Sequence, residues 1–156
     1  MVQELASSLI KKLQEKNLTI AVAESLTGGL VAASLTEIPG ASKVFKGSIT
    51  AYADEIKQKV LNVNKETILK FTSISEQVAL EMAINVRTIM KSDIGISTTG
   101  VAGPEKSAGF APGLVFVAIS IGDHNMCQKL EITGDRSKIR NQTVHEILQL
   151  TLSRLV

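Results

Sequence analysis

The run LTIAVA at positions 18–23 limits the fold more than any other stretch of the chain. It is short, apolar and rich in β-branched residues, so it reads as a strand buried within a sheet. The segments on either side follow a different period. Val2, Leu5, Ala6, Leu9 and Leu13 recur at helical spacing ahead of it, and Leu30, Val31, Leu35 and Ile38 do so behind it, up to the stop signal Pro39-Gly40. A buried strand set between two amphipathic helices asks for a sheet with helices packed on it.

The rest of the chain continues the pattern. KVFKGSITAY (43–52) predicts a strand, and ADEIKQKVLNV (53–63) a short helix with Ile56, Val60 and Leu61 on one side. Ser75 is placed as an N-cap, with Glu76 in the first turn of a helix carrying Val78, Met82, Val86 and Ile89. DIGISTT (93–99) predicts a strand that runs into a loop rich in Gly, Pro and Ala at 100–113. GLVFVAISIG and NMCQKLEIT predict two strands joined as a hairpin around Gly122-Asp123. Asp135 is placed to cap a last helix carrying Val144, Ile147, Leu148 and Leu155. No repeat, linker or low-complexity segment interrupts the order α-β-α-β-α-α-β-β-β-α. The expectation is a single α/β domain over residues 1–156, a three-layer α/β/α sandwich with a mixed β-sheet.

Composition narrows the function classes. Aromatic residues make up 3% of the chain and Trp is absent, so the core must be built from Leu, Ile, Val and Ala. The same scarcity removes the stacking platforms that single-stranded nucleic acid binders use. A net charge of +2 with no basic stripe gives a duplex nothing to bind, so no nucleic-acid partner is expected. Cys127 is the sole cysteine, which forbids an internal disulfide and suits a reducing compartment. The opening MVQELASSLIKKLQEKN has mixed charge and lacks the apolar centre of a signal peptide, and no apolar run reaches membrane-spanning length. A cytoplasmic protein without membrane contact is expected.

Three polar, glycine-bearing junctions follow predicted strands, at 24–29, 52–57 and 98–104. Ligands of open α/β sheets bind beyond the carboxyl ends of strands. In AESLTGG (23–29), Ser25 reads either as a helix cap or as an exposed nucleophile beside Gly28 and Gly29, whose backbone N–H groups offer oxyanion donors. The stretch is not a G-x-S-x-G elbow. Neither histidine helps, since His124 falls in the hairpin turn and His145 inside the last helix. A serine without histidine can use a lysine whose pKa is lowered by burial or a neighbouring cation. Lys57 follows the second junction and reads either as that base or as a solvated helix residue. TTGVAGP (98–104) reads as a ligand-cradling turn or as a plain tight turn. GDRSKIR (134–140) sets Arg136 and Arg140 four residues apart on one helix face, either for a phosphate or simply in solvent. No Cys/His/Asp/Glu cluster has metal-ligand spacing, so neither a metal nor any other cofactor is expected.

Taken in order, AESLTGGLVAASLTEIPGASKVFKGSITAY, TTGVAGP and GDRSKIR resemble the C-terminal domain of the competence/damage-inducible protein CinA. The resemblance covers essentially the whole chain. That family includes stand-alone nicotinamide-nucleotide amidases, and larger members carry an additional N-terminal domain for which these 156 residues leave no room. The resemblance implies hydrolysis of the carboxamide of nicotinamide mononucleotide to nicotinic acid mononucleotide and ammonia. It implies a catalytic set of Ser25 as nucleophile, Lys57 as base and Tyr52 from the same motif as Lys57. It assigns substrate binding to Thr27, Gly28, Gly29, Thr99, Gly100, Gly103, Arg136 and Arg140. A small nucleotide substrate, no cofactor and a homo-oligomer are the corresponding expectations.

Two departures from the family pattern fall beside that site. The second motif, which usually reads Y-S-N-E-x-K, is YADEIK here, so Ala53 and Asp54 stand in place of Ser and Asn. The loop after Pro104 reads EKSAGFAPGLVF, with Leu114 where a Thr is common. Three readings therefore stand side by side: the amidase, a Ser25–Lys57 enzyme with another small amide as substrate, and a nucleotide-binding domain without turnover.

Overall fold

A computed structural model describes all residues from Met1 to Val156. Helix α1 (Val2–Lys16) leads into β1 (Ile20–Glu24), α2 (Leu30–Thr36), β2 (Phe45–Thr50), α3 (Asp54–Lys59), α4 (Lys65–Phe71), α5 (Glu76–Met90), β3 (Ile94–Gly100), β4 (Leu114–Ile121), β5 (His124–Glu131) and α6 (Arg136–Ser153). The strands form one sheet in the order β2-β1-β3-β4-β5. β1 is parallel to β2 and to β3, whereas β3–β4 and β4–β5 are antiparallel. The mixed sheet and the three layers expected from the sequence are both present.

Buried strands put alternate residues on opposite faces, and β1 does so with no polar side. Ile20 and Val22 join a cluster with Leu9, Leu13, Val31, Leu35, Ile147 and Leu148, beneath α1, α2 and α6. Ala21 and Ala23 face the other way, toward Leu61, Val78, Met82 and Val86. This second face is lined by small residues so that α5 can sit close. A Cβ on Gly95 of β3 would collide with the carbonyl oxygen of Ala83, so only glycine lets the helix backbone approach there. Ser97, two residues on, donates its hydroxyl to the Ala79 carbonyl at 2.6 Å. A core with almost no aromatics is thus filled by close backbone approach.

Several local expectations are corrected. Asn64 caps a helix, α4, that no sequence signal announces; its side chain accepts the Glu66 N–H at 2.9 Å. The helix has one buried residue, Ile68, which is too little for a visible period. It is held instead by the Glu81 carboxylate of α5, which accepts from the Asn64 N–H at 2.7 Å and from the Thr67 hydroxyl. Val60 and Ile89, assigned to apolar faces, are exposed, because α3 ends at Lys59 and Ile89 lies on the last turn of α5. His124 is the first residue of β5, paired with Ile121, and not part of the turn. The caps placed at Ser75 and Asp135 form as expected, on the N–H groups of Val78 and Lys138.

Because β1, β2 and β3 are parallel, their carboxyl ends lie at one edge of the sheet. The strand order reverses around β1, with β2 on one side and β3 on the other. The three polar junctions meet at that switch point.

Candidate active site

A cavity of about 710 Å³ opens at this edge, a volume that suits a small-molecule ligand. Its lining includes Ser25, Tyr52, Asp54, Lys57, Thr99 and Arg136. Each strand end contributes one wall.

The first wall is Ser25, and Glu24 explains why its hydroxyl is available. Glu24 ends β1 fully buried. Its carboxylate accepts the N–H groups of Gly29 (2.9 Å), Val31 (3.2 Å) and Ala32 (2.8 Å) at the start of α2. Those are the donors a helix start leaves without partners, and the acid favours the positive end of the helix dipole. The capping reading of Ser25 is therefore displaced: the preceding residue does the capping. Sequence reasoning missed Glu24. The available signal was an acidic residue closing an otherwise apolar strand directly before a helix.

Gly28 and Gly29 also have a different task from the one expected. The Gly28 N–H is donated to the Ser25 carbonyl at 3.0 Å and the Gly29 N–H to Glu24, so neither is a free oxyanion donor. Both residues have positive φ, +57° and +103°, which glycine adopts at little strain. The N–H groups of Leu26 and Thr27, by contrast, have no acceptor within the protein. Thr27 is buried and shares a 2.8 Å hydrogen bond with the Thr98 hydroxyl, tying the turn to β3.

The second wall is Lys57 on α3. Its side chain is only 2% exposed. The ammonium nitrogen, Nζ, lies 3.1 Å from Ser25 Oγ and 3.1 Å from the Tyr52 carbonyl oxygen. Burial pushes its pKa below the ordinary lysine value, against the opposing pull of the Asp54 carboxylate. Asp54 Oδ1 is 3.7 Å from Nζ, and the Asp54 side chain is 52% exposed. Of the two readings of Lys57, the solvated one is excluded by this burial. Tyr52 meets Lys57 through its backbone, while its ring is exposed and lines the cavity.

The third wall is the segment after β3. Thr99 donates its hydroxyl to the Ser73 carbonyl at 2.7 Å, and Gly100 and Gly103 line the cavity beside it. A Cβ on Gly100 would meet the Leu114 carbonyl oxygen at 2.6 Å, so its bareness serves the packing of β4.

The two arginines of α6 part company. Arg136 reaches the cavity, donating to the Gly103 carbonyl at 2.6 Å and to the Tyr52 hydroxyl at 3.1 Å. Arg140 does not line it. Its guanidinium donates to the carbonyls of Leu26 (2.9 Å) and Thr27 (3.1 Å). It fastens the turn that carries Ser25, so its expected place among substrate ligands is corrected to one in the scaffold. No group of three or more His, Cys, Asp or Glu side chains converges anywhere in the fold. Cys127, on β5, has its thiol pushed up to about 12 by burial and by Glu76. No helix is long and apolar enough to cross a membrane.

Comparison with known proteins agrees with this architecture. The family model described as the CinA C-terminal domain matches residues 2–155. A CinA-like protein of Dictyoglomus turgidum is 44% identical over 147 residues, which is 94% of this chain and 36% of that protein. The chain spans about a third of the length of the curated relatives it matches. Among solved structures, a competence or damage-inducible protein from Enterobacter asburiae superposes with a TM-score of 0.98 at 33% identity, covering 100% of this chain and 99% of that one. A CinA superfamily protein from Enterobacter cloacae gives 0.97 at 31% identity, covering 100% and 93%.

Proposed function

The chain belongs to the CinA C-terminal domain family, and on that footing we propose that it hydrolyses the carboxamide of nicotinamide mononucleotide through an acyl-enzyme on Ser25. The observation that carries the reading is the buried Lys57 Nζ, 3.1 Å from Ser25 Oγ. Neutral Lys57 takes the hydroxyl proton as Oγ attacks the carboxamide carbon. The resulting oxyanion is met by the N–H of Leu26, which directly follows Ser25, lines the cavity and has no acceptor for that N–H within the protein. The ammonium so formed returns its proton to the departing nitrogen, which leaves as ammonia. Water then attacks the ester, again with Lys57 as base. The acid is released and Ser25 is restored. Arg136 is the cation placed to meet a phosphate. This reading also has the domain working in pyridine-nucleotide recycling as a cytoplasmic homo-oligomer.

One observation favours a binding domain without turnover. Asp54 lies 3.7 Å from Lys57 and supports the ammonium, which is the wrong form for a base. A single assay separates the two. Purified protein, Ser25→Ala and Lys57→Ala are incubated with nicotinamide mononucleotide while ammonia and nicotinic acid mononucleotide are followed. The amidase reading expects turnover that falls about a thousandfold or more in each variant. Binding without turnover by the unmutated protein supports the second reading, and turnover that survives Ser25→Ala ends the nucleophile assignment.

A further inference from the structure

Four charged side chains line the cavity: Asp54, Lys57, Glu105 and Arg136. Two cations and two anions balance only while Lys57 is an ammonium. In the working form of the amidase reading, Lys57 is neutral. Asp54 then has no cation, because Lys57 is its only ion-pair partner. Arg136 makes no ion pair with Asp54; it donates to the Gly103 carbonyl and the Tyr52 hydroxyl. A half-exposed carboxylate is thus left open to the cavity, two short contacts away from the nucleophile, through Lys57.

We propose that Asp54 is a specificity residue that selects carboxamides borne on a cationic ring. The inference rests on the amidase reading and sharpens its substrate class. A carboxamide carbon brought to Ser25 Oγ carries its ring into the same small space. In oxidised nicotinamide mononucleotide the quaternary ring nitrogen is two bonds from the carbon bearing the carboxamide. Its positive charge replaces the ammonium as the partner of Asp54. It also opposes protonation of Lys57, so the bound ring helps to keep the base in its working form. A neutral ring of the same size does neither.

The reduced, dihydropyridine form of the mononucleotide is that neutral ring, with the same carboxamide, ribose and phosphate. Binding of both forms is measured by calorimetry at one pH in Ser25→Ala, which prevents turnover, and in Ser25→Ala with Asp54→Asn. The single variant is expected to hold the oxidised form about tenfold tighter, the scale of a partly screened charge pair. In the double variant the preference is expected to fall to near parity. Ser25→Ala with Asp54→Glu is expected to keep it, which separates lost charge from a disturbed helix. A preference that is the same with and without Asp54→Asn, or a tighter reduced form in Ser25→Ala, overturns the proposal while the amidase reading stands. Failure of Ser25→Ala to bind the oxidised form at all removes that reading, and the proposal with it.

Discussion

Glu24 holds the start of α2 with three hydrogen bonds, and the next residue, Ser25, is left facing Lys57. Two neighbouring side chains that are both able to cap a helix are divided between structure and chemistry. The division depends on the carboxylate, which reaches N–H groups five to eight residues ahead. Glu24→Ala leaves those donors without their acceptor, the buried Val31 N–H among them. We expect a loss of about 2–3 kcal/mol, the size of a lost cap plus unsatisfied donors, read by urea denaturation. Glu24→Gln keeps one acceptor oxygen and should fall between the two. A Glu24→Ala protein as stable as the parent would show that the helix start finds other acceptors.

The separate tasks of Arg136 and Arg140 give a second pair of outcomes. Arg136→Ala removes a cation from the cavity wall, so it should raise KM for a phosphate-bearing substrate about tenfold or more and lower stability less than Arg140→Ala, because Arg136 is exposed. Arg140→Ala removes two hydrogen bonds to the turn behind Ser25. It should lower stability by about 1–3 kcal/mol and depress kcat more than KM. Steady-state kinetics beside thermal denaturation reads both, and the opposite assignment of effects would exchange the two roles.

These two arginines also mark the limit of what is legible in the sequence. Helical spacing places them on one face, and that holds. Spacing says nothing of what each guanidinium meets, because Gly103 and Leu26 come to α6 only through the tertiary fold. The layers are readable because β1 is apolar throughout and the helices around it keep a clear period. Helix α4 is not, because it is anchored by Glu81 from another helix and not by an apolar face of its own. Similarly, the glycines of AESLTGG announce an unusual turn, but not that their N–H groups are taken up inside it. The burial of Lys57 lies furthest from the local sequence. DEIKQK looks like a solvated helix, and only the packing of α3 under the strand ends turns its lysine inward.

Asp54 makes a pH prediction with a definite sign. Its carboxylate favours the ammonium of Lys57, while burial favours the amine. Ser25 and the Tyr52 carbonyl also face Nζ, and Arg136 and Glu105 stand on the same cavity. Asp54→Asn removes the one ion pair of this lysine, at 3.7 Å. The amine is then available at lower pH. The acid limb of the kcat/KM profile, which reports the free enzyme's base, should move to lower pH. A profile that stays in place, or moves upward, would mean that another group titrates.

Lys57 should weaken the fold that positions it. Its folded pKa lies below the ordinary 10.5 because the charged form is desolvated. Between the folded value and the unfolded one, the unfolded chain binds more protons than the native chain, so stability rises with pH across that window. Below the folded value the full penalty of the buried ammonium is present. Lys57→Met keeps the volume and removes the charge. It should abolish activity yet stabilise the protein by about 1–2 kcal/mol at neutral pH, as apolar replacements of buried charges do. The gain should shrink as pH climbs toward the unfolded value, where the parent lysine is neutral in both states. Urea denaturation of both proteins across that range tests the sign. A gain that grows with pH would place the lysine among groups stabilised by their charge, and would remove the neutral amine on which Ser25 depends.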